Sequence, residues 1–89
     1  MSALQTLTRL ELMQKDDGKG AYILFFGNNK TEEKANELID SWIASGVNEL
    51  RVVNATDEIK VLIKPFENGS LVTYHQNYDE AYDAIFPNG

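Results

Sequence analysis

The chain has 89 residues, 14 acidic against 8 basic for a net charge of −6, a 43% hydrophobic share and no cysteine. That length fits one domain, residues 1–89, and the lack of thiols excludes disulfides, thiolate metal ligation and thiol redox chemistry. The acidic balance is the wrong sign for binding nucleic acid by counterion release. No apolar run reaches the roughly 18–20 residues that a bilayer span needs.

Residues 2–15 admit two readings. Ser2 and Gln5 fit a capping box, and Ala3, Leu4, Leu7, Leu10 and Gln14 fit a helix, which is the preferred reading. Thr8, Leu10 and Leu12 alternate instead as a strand would, and Asp17-Gly18 could close a hairpin onto 21–26. Asp16 and Asp17 lack the spacing of a calcium loop and read as a turn.

Residues 21–26 form a short apolar run ending at Gly27, as expected of a strand buried on both faces. The spacing of Ala35, Leu38, Ile39, Trp42 and Ile43 then predicts a helix over 31–45. Thr31 caps it, Glu32 and Glu33 face its positive end, and Gly46 stops it. Residues 49–54 read as a second strand, parallel to the first in a βαβ unit.

Ile59, Val61 and Ile63 alternate with Glu58, Lys60 and Lys64, which predicts a strand over 58–65. Asn68-Gly69 would turn it into a second strand, 70–76. A four-residue loop, Glu67 to Ser70, sets Ile63 beside Tyr74 and moves Pro65 to a non-bonded position. The final segment, 78–86, reads as a helix with Tyr78, Ala81, Tyr82, Ile85 and Phe86 on one face and Asp79, Glu80 and Asp83 on the other. The expected fold is α+β, with a mixed four- or five-stranded sheet and two helices, or three if residues 2–15 are helical.

From Ala21 onward the order strand, helix, strand, strand, Asn-Gly turn, strand, helix resembles the thioredoxin fold, most closely at Phe66-Glu67-Asn68-Gly69. Where that family carries Cys-x-x-Cys this chain has Asn28, Asn29, Lys30 and Thr31, and no proline precedes Ile59. No activity and no site residue carries over. A plain meander, with 49–54 and 58–65 paired as a hairpin, fits the short 55–58 link better.

Two places invite function. Asn28, Asn29, Lys30 and Thr31 join a buried strand to a helix N-terminus, where free N–H groups favour an anion. The phosphate-loop pattern lacks its second glycine there, and Glu32 and Glu33 oppose an anion. Tyr74, Tyr78, Tyr82 and Phe86 recur every four residues beside Asp79, Glu80 and Asp83. Tyrosine supplies large contact area at small entropic cost, so Tyr78, Asp79, Tyr82 and Asp83 are the candidate partner-binding residues. These carboxylates could also stand in for nucleic-acid phosphates.

His75, the sole histidine, reads as a partly exposed strand residue without a partner. Catalysis and metal ligation are not expected, and no cofactor is implied. The expectation is a cytoplasmic, non-enzymatic binding module of regulator, inhibitor or immunity type. Its partner would be a protein, a basic one being the easier to accommodate, and neither a nucleic acid nor a membrane.

Overall fold

The computed structural model describes residues 7–87. A single sheet runs in the order β1 (Arg9–Gln14), β2 (Gly20–Phe25), β3 (Glu49–Val53), β4 (Leu71–His75). β1 is antiparallel to β2, while β2, β3 and β4 are mutually parallel. The helices α1 (Glu32–Ser45), α2 (Asp57–Ile63) and α3 (Tyr78–Ile85) each follow one of the parallel strands. The fold is thus α+β with a four-stranded mixed sheet and three helices.

Period-two alternation divides the strand residues between the two faces. Leu24, Phe26, Leu50 and Val52 point to one face and pack with Ala35, Ile39 and Trp42 of α1 and Ile59 and Ile63 of α2. Ala21, Ile23 and Val53 point to the other and pack with Ala81 and Ile85 of α3. β2 is therefore covered on both sides, as its apolar run predicts.

The helix over 31–45 is present as predicted. The Thr31 hydroxyl accepts from the Lys34 N–H at 3.1 Å. Gly46 adopts a left-handed conformation, φ 78°, that other L residues rarely take, and its N–H bonds to the Ile43 carbonyl.

Three expectations are corrected. Residues 58–65 are not a strand: α2 occupies Asp57–Ile63, followed by a 3-10 turn, Lys64–Phe66. The alternation of Ile59, Val61 and Ile63 misleads, because Val61 is 68% exposed while Ile59 and Ile63, one helical turn apart, are buried. The Thr56 hydroxyl accepts from the Ile59 N–H, and Asp57 and Glu58 meet the positive end of the dipole. Pro65 sits where the chain leaves the helix, at the start of the 3-10 turn.

The Asn68-Gly69 hairpin and the Ile63–Tyr74 register disappear with that strand. β4 instead lies parallel to β3, with Arg51 opposite Thr73 and Val52 opposite Tyr74. The strand-turn-strand order behind the thioredoxin resemblance, and the meander offered beside it, are absent with it.

Residues 9–14 are strand, not helix, and pair with β2 from Arg9–Phe25 to Gln14–Gly20. The turn is closed by Lys15 N–H to Lys19 carbonyl and by Gly18 at φ 82°. Pairing with β2 satisfies the inward-facing backbone groups of β1 and partly buries Leu10 and Met13, which outweighs a weak helical preference. The capping box at Ser2 and Gln5 lies outside the described residues. No helix among the described residues is long and apolar enough to cross a membrane.

Candidate functional site

Because β2, β3 and β4 are parallel, their C-terminal ends and the three helix N-termini gather at one end of the sheet. Each helix opens there on a capping side chain, Thr31, Thr56 or Asn77. Each also carries two carboxylates in its first turn: Glu32 and Glu33, Asp57 and Glu58, Asp79 and Glu80. The carboxylates offset the positive dipole ends, which makes this end of the molecule acidic.

Within it, Asn28, Asn29, Lys30 and Thr31 form one exposed loop. Two of its four residues, Asn29 and Thr31, are bonded to each other and to their neighbours. Asn29 Oδ1 accepts from the Thr31 hydroxyl at 3.0 Å, the Thr31 oxygen caps α1, and the Asn29 carbonyl accepts from Thr8 at 2.6 Å. Beside it, Asn54 holds φ 65°, donating its side-chain amide to the Phe26 carbonyl and its N–H to the His75 carbonyl. Through its side chain and its backbone N–H together, that residue ties the ends of all three parallel strands.

The predicted partner-binding residues divide. Tyr78 is half-buried; its hydroxyl donates to Glu11 at 2.6 Å, and its ring stands edge-on to Phe25. Asp79, Tyr82 and Asp83 face solvent. Tyr82 is 41% exposed and lies between Tyr78 and Phe86, with ring centroids 6.4 and 4.9 Å away. Tyr74 does not join this ladder. It packs on the α1–α2 side, bonded to Glu67 with Lys60 over its ring.

The largest polar feature was missed by sequence reasoning. Across the α3 side of the sheet, Lys15 Nζ donates to Glu49 Oε1 at 2.8 Å. Arg51 donates from Nε and Nη2 to the other oxygen of Glu49 at 3.0 and 2.8 Å, and from Nη1 to Thr73 Oγ1 at 2.8 Å. Thr73 Oγ1 lies 2.9 Å from His75 Nε2, and His75 Nδ1 lies 3.1 Å from Glu80 Oε1. With the Thr73 hydroxyl donating to Nε2 and the Nδ1 proton facing Glu80, each link of the chain pairs a donor with an acceptor. His75 is, as expected, a partly exposed residue of a strand, but it has two partners where none was expected. The available signal was the spacing i, i+2: Glu49 with Arg51, and Thr73 with His75, share a strand face.

Charge follows from these contacts. Burial alone would raise the Glu49 carboxyl, but hydrogen bonds and charge from Lys15 and Arg51 outweigh it and hold the group below the usual carboxylate range. Glu11 is likewise lowered, burial being overcome by Tyr78 and Arg9. Burial, then the bond to Glu11 and its charge, push Tyr78 up to about 12.

Hydroxyl, imidazole and carboxylate stand here in the order of an acyl-transfer triad. The Thr73 and His75 N–H groups are themselves committed to the ladder with β3. What the arrangement does is tie β1, β3, β4 and the first turn of α3 together. No protein-family model, curated protein or solved structure matches this chain.

Proposed function

We propose that this protein is a non-enzymatic binding module that docks a basic protein segment on the outer side of α3, regulating or inhibiting that partner by occupying it. The observation that carries this reading is Tyr82, 41% exposed in the middle of an aromatic ladder. Asp79, three residues before Tyr82, lies beside it one turn back, and Asp83, the next residue, is exposed at the border of the same surface. The half-buried Tyr78, fixed by Glu11 and Phe25, anchors the ladder from below. An exposed, pre-ordered aromatic ring flanked by carboxylates suits an arginine- or lysine-rich segment, with stacking on the ring and ion pairs at its rim. The acidic end of the sheet extends the same field.

Titration of the isotopically labelled protein with an arginine-rich peptide tests the reading by amide chemical shifts. Shifts should centre on Asp79, Tyr82 and Asp83, weaken with salt, and need about tenfold more peptide in a Tyr82→Ala/Asp83→Asn variant. No shift at millimolar peptide, or unchanged affinity in the variant, defeats it.

A further inference from the structure

The two edges of the sheet are built differently. β1 carries Arg9 and Glu11 within the strand and Lys15 just after it, charges of the kind that keep edges from pairing. β4 reads Leu71-Val72-Thr73-Tyr74-His75, with no Lys, Arg, Asp, Glu or Pro. It is the terminal strand of the sheet, bonded only to β3. Leu71 donates to Asn48 and His75 accepts from Asn54, so residues 71, 73 and 75 face β3 and Val72 and Tyr74 face outward. Their N–H and C=O groups have no hydrogen-bond partner among the described residues.

From this we infer that β4 pairs with β4 of a second copy of the chain, antiparallel about a two-fold axis at Thr73. In that register Val72 of one protomer meets Tyr74 of its partner and exchanges both backbone bonds, and the reciprocal pair does the same. All four outward groups of the strand are satisfied, and the whole of Leu71–His75 is paired. A register centred on Val72 or Tyr74 leaves part of the strand overhanging. Leu71, 50% exposed in the single chain, comes to lie opposite the partner's His75, and the two copies of Thr73 lie side by side.

Charge also argues for a second copy. An uncharged strand meets no like charge across the junction, whereas a basic peptide would find no carboxylate on β4 itself. The interface is small. Five residues at about 3.4 Å each give a contact about 17 Å long, at the low end of interface sizes. The dimer is accordingly weak, with a Kd between about 10 μM and 1 mM. Each protomer carries −6, so salt should strengthen this association, the reverse of its effect on a basic partner.

Sedimentation equilibrium of the whole chain, from about 10 μM to about 1 mM at low and high salt, tests the proposal. The mass should climb from that of one 10.0 kDa chain toward twice that, more steeply in high salt. Amide hydrogen exchange at Val72 and Tyr74 should slow by at least about tenfold over the same range. Val72→Pro removes an N–H that β3 does not use, and Leu71→Glu places a charge on the exposed start of the edge. Each should leave the chain monomeric throughout, and Tyr82→Ala should dimerise like the parent. If Val72→Pro fails to fold, Leu71→Glu decides alone. A parent that stays monomeric near 1 mM in high salt overturns the proposal. So does a dimer that survives Leu71→Glu, or one that protects β1 amides and leaves Val72 and Tyr74 exchanging freely.

Discussion

The two faces of the sheet solve the same problem with different materials. On the α1–α2 side, Leu24, Phe26, Leu50, Val52, Trp42, Ile59 and Ile63 form a dry core. On the α3 side a smaller apolar patch, Ala21, Ile23 and Val53 under Ala81 and Ile85, gives way to the chain of ion pairs and hydrogen bonds from Lys15 to Glu80. Two helices cover one face, but the eight residues of α3 cannot cover the other. Where cover runs out, charged side chains lie along the sheet with their stems on apolar surface and their heads bonded to one another. The dry face stabilises by burial; the ionic face by mutual satisfaction of groups that none of the helices fully shields.

The sharpest break of that contrast is at Trp42, whose indole N–H is buried without an acceptor among the described residues. Trp42→Ala should cost about 3–5 kcal/mol in denaturant unfolding. Trp42→Phe, which loses area but also an unpaired donor, should cost less than about 2 kcal/mol. Near-equal costs would show that the indole N–H carries weight. On the ionic face Arg51→Ala should cost about 1–3 kcal/mol. A double-mutant cycle with Glu49→Gln should return a coupling of about 0.5–2 kcal/mol. Additivity there would mean that the pair is ornamental to stability.

At the seam between the faces, Asn54→Ala loses the bond to Phe26 and leaves at positive φ a residue that adopts it less readily than asparagine. It should cost about 1–2 kcal/mol, and Asn54→Gly, which keeps the backbone conformation free, should cost less. Thermal melts should show equal losses if the side-chain bond dominates, and unequal ones if backbone strain does.

The mildest effects are those of pH, and in acid they should report the ionic face. Glu49 and Glu11 have folded pKa values below their unfolded ones, so their contribution is present above about pH 4.3 and lost as pH falls through the folded values. Glu49→Gln should flatten the acid limb of Tm against pH. Tyr78 works in the opposite sense. Its folded pKa is raised to about 12, so its contribution is intact below about pH 10 and lost as pH climbs toward 12. Tyr78→Phe should remove that alkaline loss; a variant that keeps it would shift the cause to Tyr74, whose hydroxyl is also raised by burial and Glu67.

These contrasts also explain what was legible beforehand. The helix over 31–45 could be read because cap, stripe and stop agree at Thr31, Trp42 and Gly46, and β2 because it is apolar on both faces. α2 could not, because its seven residues hold barely two turns, too few to separate a period of 3.6 from one of 2. Leu62, apolar at a position the alternation would make polar, was the one sign against a strand. β1 depends on a partner strand that local preference does not describe. The ionic chain was hidden for a related reason. Glu49 with Arg51 and Thr73 with His75 are visible as pairs, but only the parallel register of β3 and β4, and the return of α3, bring Lys15 and Glu80 to their ends.

The gathering of three helix starts at one end has a consequence for encounter. Paired carboxylates follow each cap there, so six of the 14 acidic residues of the chain gather at the starts of the three helices. A cationic surface would turn it before touching it, presenting the carboxyl ends of β2, β3 and β4 first. Tyr82 lies one turn down the helix that begins at that end, within reach of whatever arrives there.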